Sequence, residues 1–310
     1  MPINDVIILS ADADALFAAL QADVPEGITL HPCSDASRLP AAAARASIAL
    51  AAPDMLRDAL PGLPALQWAQ STWAGVTPLI SADRQDYRLT GVKGLFDVAI
   101  SEYVLAWMLA LQRKVLERAS ATTWDRTPDG NLAGKRAGIM GTGALGTAVA
   151  RRAEAFGVCL RGLNTRGDAA PPFTECYRAE DRLAFAKDLD FVVALMPDTP
   201  ATRGLIDATF LQALPPHAVV INAGRANAID HAALRQHVRA GALRAAVLDV
   251  LPEEPLPDGD PLWTTERIYI TSHTAAPTES EAIAPLFLDN LARFRQGQPL
   301  LYEVDFRRGY

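Results

Sequence analysis

Half of the 310 residues are apolar and 21% are charged, a balance that supports buried cores and, at roughly 150 residues per domain, about two of them. A formal net charge of −7, with no block of Lys or Arg, excludes a cationic stripe that could track nucleic-acid phosphates. Cys33, Cys159 and Cys176 are odd in number, scattered and without metal-ligand spacing, which predicts reduced thiols, no metal centre and a cytoplasmic protein.

The opening "MPINDVIILSADAD" carries an acid where an export signal is basic, and its apolar run is only strand length. From residue 5 to about 92, the short apolar runs "VIILS", "ITLHP", "ASIALAA", "LQWAQS" and "YRLTGV" alternate with helix-like pieces such as "DALFAALQA", which predicts parallel strands joined by crossovers. A helix is expected over 101–119, opened by Ser101 as its cap; its apolar stretch "YVLAWMLALQ" is bounded by Glu102 and Arg113 and is too short for a bilayer. Beyond the Pro/Gly-containing "WDRTPDGNLAG", strands are predicted at 137–141, 158–163, 190–195, 218–222, 245–250 and 268–272, a second doubly wound sheet. The tail has helical spacing at Ile283, Leu286, Phe287, Leu291 and Phe294 and is too small to fold alone. The expected domains are therefore 1–100 with 277–310, and 101–276.

After the strand "AGIM", "GTGALG" sets Gly141, Gly143 and Gly146 in G-x-G-x-x-G register, with Ala144 and Leu145 between them. Leu145, Val149, Ala153 and Phe156 then fall on one helical face. Such glycines allow a tight turn and the close approach of a pyrophosphate to a helix N-terminus. About twenty residues on, where NAD-binding chains usually carry an acid for the ribose hydroxyls, the sequence reads Asn164, Thr165, Arg166. Either this is an ordinary polar loop, or Arg166 pairs with a 2′-phosphate that no carboxylate repels. The second reading predicts NADPH in preference to NADH.

Three ionisable residues lie in succession beyond the carboxyl ends of predicted strands: Arg225 after "VVINAG", Glu254 in "LDVLPEEPLP" and His273 closing "IYITSH". Singly, each has a bland reading as surface charge or packed imidazole. Together, beyond the carboxyl ends of the strands of an open α/β sheet, they suffice for interconversion of 2-oxo and 2-hydroxy acids. Arg225 would grip a carboxylate with two parallel N–H groups. Glu254 would fix the tautomer of His273, whose other nitrogen exchanges a proton with substrate.

"LAGKRAGIMGTGALG", "DTPATRGLI", "AVVINAGRANAID", "AAVLDVLPEEPLP", "PLW" and "TSHTAAPT", in this order, resemble the D-isomer-specific 2-hydroxyacid dehydrogenase family, across residues 64–310 and most strongly over 132–277. The resemblance implies two doubly wound α/β domains, a Rossmann dinucleotide-binding domain and a flavodoxin-like substrate domain, with a cleft between them. It implies that Arg225 binds the carboxylate and polarises the carbonyl, that Glu254 pairs with His273, and that His273 is the general acid/base. Pro197 and Asp249 would join the cofactor contacts, Asp249 at the nicotinamide carboxamide. Backbone amides of Trp73, Ala74 and Gly75, in "LQWAQSTWAGVTPL", would meet the substrate carboxylate.

"GLFDVAISEYVLAWMLALQR" together with the Arg166 pattern is similar to the glyoxylate/hydroxypyruvate reductase branch. Hydride would pass from NADPH, with NADH possible, to C2 of a small 2-oxo acid. A homodimer reaching through the segment around Trp124 is also implied. Two departures stand out: Ala226-Asn227 replaces the commoner Gly after the arginine, and Trp73 stands where a smaller residue is usual. The competing reading is a dinucleotide-sensing, corepressor-like protein of the same fold. A formate-type enzyme is disfavoured because it would lack the carboxylate of Glu254.

Overall fold

In the computed structural model, which describes residues 5–169 and 171–307, the predicted alternation of strands and helices forms two parallel sheets. The "MPIN" start and the last three residues of the expected substrate domain lie outside the described residues. The chain divides into two compact units, Met1–Leu95 with Thr278–Tyr310, and Phe96–Pro277.

In the first unit, β1 (Asp5–Leu9), β2 (Thr29–Cys33), β3 (Ile48–Ala51), β4 (Trp68–Ser71) and β5 (Arg88–Thr90) pair in the order β2-β1-β3-β4-β5, every pair parallel. This is the flavodoxin-like doubly wound order. All residues of β3 and β4 are buried, as a parallel sheet covered on both faces requires, so these strands read as continuous runs rather than alternations. Helices α1 (Ala13–Leu20), α2 (Pro53–Ala59) and α3 (Thr77–Ile80) make the crossovers.

The second unit begins with α4 (Asp97–Gln112), not at Ser101, and the single helix expected over 101–119 is two. Ser101 is buried one turn inside and returns its hydroxyl to the Asp97 carbonyl. Ile100, Val104, Met108 and Leu111 bury one face of α4, whereas α5 (Val115–Ala119) buries nothing. With no packing to continue it, the helix ends at Arg113 and turns through Lys114 at φ +50°. Past α5, the Trp124 indole is 92% exposed.

The strands β6 (Arg136–Met140), β7 (Cys159–Leu163), β8 (Glu175–Tyr177), β9 (Phe191–Ala194), β10 (Val219–Asn222), β11 (Ala245–Leu248) and β12 (Ile268–Ile270) form one parallel sheet in the order β12-β11-β10-β9-β6-β7-β8. This is the dinucleotide-binding order with one strand added at an edge. β8 was not among the six predicted strands; three residues long, polar and at the other edge, "ECY" has no apolar run to betray it. The helices α6 (Ala144–Glu154), α7 (Arg182–Ala186), α8 (Ala208–Ala213) and α9 (His231–Arg239) complete the unit around a core that includes Phe185, Val192, Phe210 and Leu234. Among the described residues, no helix is long and apolar enough to cross a membrane, and no group of three His, Cys, Asp or Glu side chains could hold a metal ion.

The closing helix α10 (Ser280–Arg295) packs on the first unit with Ile283, Phe287 and Leu291 buried, while Leu286 is only partly covered. Trp68 stacks on Phe287 at 5.4 Å between ring centroids and an interplanar angle of 12°. A buried polar chain adds to this contact. The Trp68 indole N–H donates to Thr90 Oγ1 at 2.9 Å, Thr90 Oγ1 to Gln70 Oε1 at 2.8 Å, and Asn290 Nδ2 to Gln70 Oε1 at 3.0 Å. Asn290 also accepts from Leu301 N at 2.7 Å and donates to Leu301 O at 3.2 Å. Asn290→Leu removes the partner of both backbone groups of the half-buried Leu301 and one partner of the buried Gln70 Oε1, and we expect a loss of about 2–4 kcal/mol in urea unfolding. A loss below about 1 kcal/mol would show that shape, not polarity, holds α10 in place.

Candidate active site

The carboxyl end of β6 leads into the glycine loop. A Cβ on Gly146 would lie 1.9 Å from the Gly141 carbonyl oxygen, so only glycine lets α6 start this close to the strand. Gly143, the residue before α6, has nothing within 4 Å of where its Cβ would be, and no side chain caps the helix. The result is a helix N-terminus with free amides and open approach, the chemistry a pyrophosphate requires. Below it, Val149 and Ala153 are buried as expected, but the helix ends at Glu154 and Phe156 is exposed.

The loop after β7 is more committed than its sequence suggests. Asn164 Oδ1 accepts from Arg166 N at 3.0 Å and Gly167 N at 2.7 Å, and its Nδ2 donates to Thr142 Oγ1 and to the Asp168 carbonyl, both at 3.1 Å. The side chain of Asn164 therefore shapes the loop and ties it to the glycine turn. Arg166, whose side chain is 82% exposed, stands with Nε 3.1 Å from Asp168 Oδ2. The expectation of a loop free of carboxylate is thus corrected: Asp168 lies two residues beyond the basic one. Arg178, just after β8, donates from Nε to Arg166 O at 2.8 Å and brings a second cation to the loop. Both residues were missed, Asp168 because the sequence window stopped at Arg166 and Arg178 because β8 was not foreseen.

At the ends of β10, β11 and β12 the three ionisable candidates gather. Arg225 is half-buried; Nη1 donates to Gly224 O at 2.6 Å, and no carboxylate lies within ion-pair distance among the described residues. Burial pushes its guanidinium down from the usual range, opposed by the charges of Glu254 and Asp198. A desolvated cation without a direct counter-ion is destabilised until an anion meets it. Glu254 Oε1 accepts from Leu251 N at 2.8 Å, and Oε2 lies 2.7 Å from His273 Nδ1. That contact places the proton of the neutral ring on Nδ1 and leaves Nε2 without a partner among the described residues.

Asp249 holds the turn that carries His273. Only 2% exposed, its carboxylate accepts through Oδ1 from Thr271 Oγ1 at 2.7 Å, Thr274 N at 2.8 Å and Ala275 N at 3.1 Å, and through Oδ2 from Ala275 N at 3.2 Å. The Asp249 carbonyl accepts from His273 N at 2.7 Å. Ser272 and His273 sit at φ +52° and +57°, a left-handed pair that only such over-determination sustains. Since Thr271 Oγ1 gives its proton to Asp249, the Tyr103 hydroxyl, 2.7 Å away, must donate to Thr271. Burial pushes the Tyr103 phenol up and keeps it a donor. Tyr103 and Thr271 were not singled out from the sequence; neither has a local signal.

A cavity of about 420 Å³ adjoins this pair, lined by Glu254 and His273 and by the apolar Leu251, Leu256, Trp263 and Ile270. In the first unit, the loop after β4 needs one correction. The Trp73 amide already donates to Ser71 Oγ at 3.0 Å, while the amides of Ala74 and Gly75 donate to no group among the described residues. Only the latter two keep N–H groups available to an anion. Pro197 lies in the exposed turn after β9, its carbonyl accepting from Thr202 Oγ1 at 2.7 Å.

Comparison with known proteins agrees with this fold. A solved D-isomer specific 2-hydroxyacid dehydrogenase family protein from Aeromonas salmonicida superposes with a TM-score of 0.92 at 32% identity, covering 98% of this chain and 99% of that one. The NADPH-dependent glyoxylate/hydroxypyruvate reductase of Sinorhizobium meliloti, solved with NADP and sulfate, gives 0.86 at 29% identity over 99% of this chain and all of the other. Glyoxylate/hydroxypyruvate reductase A of Salmonella newport is 34% identical over 188 residues, a match that spans 60% of each chain. The family model for the NAD binding domain matches residues 105–275, and the chain belongs to the D-isomer specific 2-hydroxyacid dehydrogenase family.

Proposed function

We propose that the protein reduces small 2-oxo acids, with glyoxylate and hydroxypyruvate as the first candidates, to 2-hydroxy acids, and prefers NADPH as hydride donor. The observation that carries this reading is the 2.7 Å contact of Glu254 with His273 Nδ1, two strands from a half-buried Arg225 that has no direct counter-ion. Bound NADPH would supply a hydride from its nicotinamide to the substrate's C2. The fork of Arg225 grips the substrate carboxylate and draws electron density toward the carbonyl oxygen. The protonated His273 gives its Nε2 proton to that oxygen as the alkoxide develops, and Glu254 holds the ring in line and offsets its charge. Hydride and proton together complete the alcohol, and neutral His273 runs the reverse reaction.

For the cofactor, the open face of Gly143 and the free start of α6 fit the pyrophosphate, and Arg166 with Arg178 supplies cations for a 2′-phosphate. The solved Sinorhizobium meliloti reductase, which holds NADP, supports the same choice. Asp168 opposes it. We also infer that Asp249 acts chiefly by holding the turn of His273, its Oδ2 being the oxygen with capacity left for a nicotinamide amide.

A matrix of glyoxylate, hydroxypyruvate and larger 2-oxo acids against NADPH and NADH, scored as kcat/KM, tests the reading directly. Turnover with none of them would favour the cofactor-sensing alternative. Arg225→Lys keeps the charge but loses the planar fork, and kcat/KM should fall at least about 100-fold, near 3 kcal/mol of transition-state stabilisation. Retention within about threefold would leave Arg225 a surface residue. Glu254→Gln should lower kcat about ten- to a hundredfold, with KM for the oxo acid changed far less, because it removes orientation and charge at the ring rather than binding. Arg166→Ala should cut the NADPH-over-NADH ratio of kcat/KM by about three- to tenfold, whereas Asp168→Asn should raise it about two- to threefold. Equal use of both cofactors by the parent chain would remove the 2′-phosphate from the argument.

A further inference from the structure

Arg225 is kept unpaired although two carboxylates act on it. Each carboxylate oxygen of Glu254 already has a partner, His273 for one and Leu251 N for the other. Asp198, in the turn after β9, is occupied by a different device. Its Oδ1 accepts from Arg203 Nε at 3.1 Å and from Asn227 Nδ2 in a short contact. Asn227 lies two residues past Arg225, on the turn Ala226–Ala228 that Arg225 opens. Backbone bonds lace the two segments together: Gly204 N donates to Asn227 O at 2.9 Å, Ile206 N to Ala228 O at 2.9 Å and Asp230 N to Ile206 O at 3.0 Å.

The orientation of the Asn227 amide has a cost. Its Oδ1 is buried and has no hydrogen-bond partner among the described residues. An unpaired buried carbonyl costs about 1–3 kcal/mol, yet a flipped amide would set that oxygen against the Asp198 carboxylate. The amide is therefore held by its one contact to Asp198. Asp198, with a side chain only 19% exposed, has little water to turn to if that contact is lost. Arg225, on which the Asp198 charge already acts, has no carboxylate paired with it among the described residues.

We propose that Asn227 is a positioning residue: together with Arg203 it clamps Asp198 Oδ1, holding that carboxylate off Arg225 so that the guanidinium stays open to the carboxylate of the substrate. The proposal rests on the reading of Arg225 as the carboxylate receptor. It gives the Ala226-Asn227 departure a purpose, since neither glycine nor alanine at position 227 could donate to Asp198. Without the clamp, Asp198 becomes an internal competitor of the substrate.

The test uses the full chain with NADP present and oxalate as a planar carboxylate probe, its Kd measured by titration calorimetry, beside KM and kcat for glyoxylate. Asn227→Ala should raise the oxalate Kd about tenfold, the size expected when one charge-assisted hydrogen bond redirects a carboxylate. Arg203→Ala, at an exposed side chain that does not endanger folding, should raise it at least about threefold. Adding Asp198→Asn to either variant should bring Kd back to within about twofold of the parent, because a neutral amide no longer competes. KM for glyoxylate should follow Kd, with kcat and KM for NADPH nearly unchanged. An unaltered Kd in both single variants, failure of Asp198→Asn to restore it, or a parent chain that does not bind oxalate would overturn the clamp. The Kd pattern without turnover of any 2-oxo acid would uphold the clamp and sink the proposed reaction instead.

Discussion

The buried carboxylate of Asp249 is the constraint on which the geometry around His273 depends. A carboxylate shielded from water is tolerable only if its lone pairs are taken, and here Thr271, Thr274 and Ala275 take them. Those donors all lie on the segment that follows β12, so satisfying one charge also folds that segment into a tight turn. The left-handed backbone of Ser272 and His273 is the strain that this turn stores. Tyr103, at the far end of the same hydrogen-bonded chain, ties the turn to α4. The imidazole meets Glu254 because its backbone has no other place to go.

The same economy governs the other charges at these strand ends. The charges of Glu254 and Asp198 both act on Arg225, yet neither carboxylate pairs with it. Instead each carboxylate is engaged elsewhere, Glu254 by an imidazole and a backbone amide and Asp198 by Asn227 and Arg203. The desolvated guanidinium is left without a direct counter-ion among the described residues. Unpaired charge of this kind is a liability for folding, and here strand ends and laced turns surround it.

In the first unit the polar interior serves stability rather than chemistry. Trp68, Gln70, Thr90 and Asn290 form a closed hydrogen-bonded set, with the Trp68 ring stacked on Phe287. It joins strands β4 and β5 to a helix more than two hundred residues later. A core of aliphatic side chains would tolerate several seats for α10. Directional bonds from Asn290 to Gln70 and to Leu301 select one.

By itself the sequence determined the two doubly wound sheets, because parallel strands buried on both faces must be continuous apolar runs and crossover helices must be periodic, and both signals are local. The glycine loop was legible for the same reason: strand, turn and helix follow one another without interruption. So were Arg225, Glu254 and His273 as residues beyond strand ends, although nothing local said that β10, β11 and β12 would be neighbours. Only the tertiary structure decided what each polar group touches. Asp168 meets Arg166, Ser71 takes the Trp73 amide, Asn164 is spent on its own loop, and Asn227 reaches Asp198 across 29 residues. The edge strand β8 and the break after α4 belong to this second class, since a three-residue polar strand exists only by virtue of its neighbour and a helix ends where its packing does. Hydrophobic patterning is written in the spacing of residues along the chain. Hydrogen bonds between side chains depend on which strand ends the crossovers bring together, and no stretch of sequence contains that information.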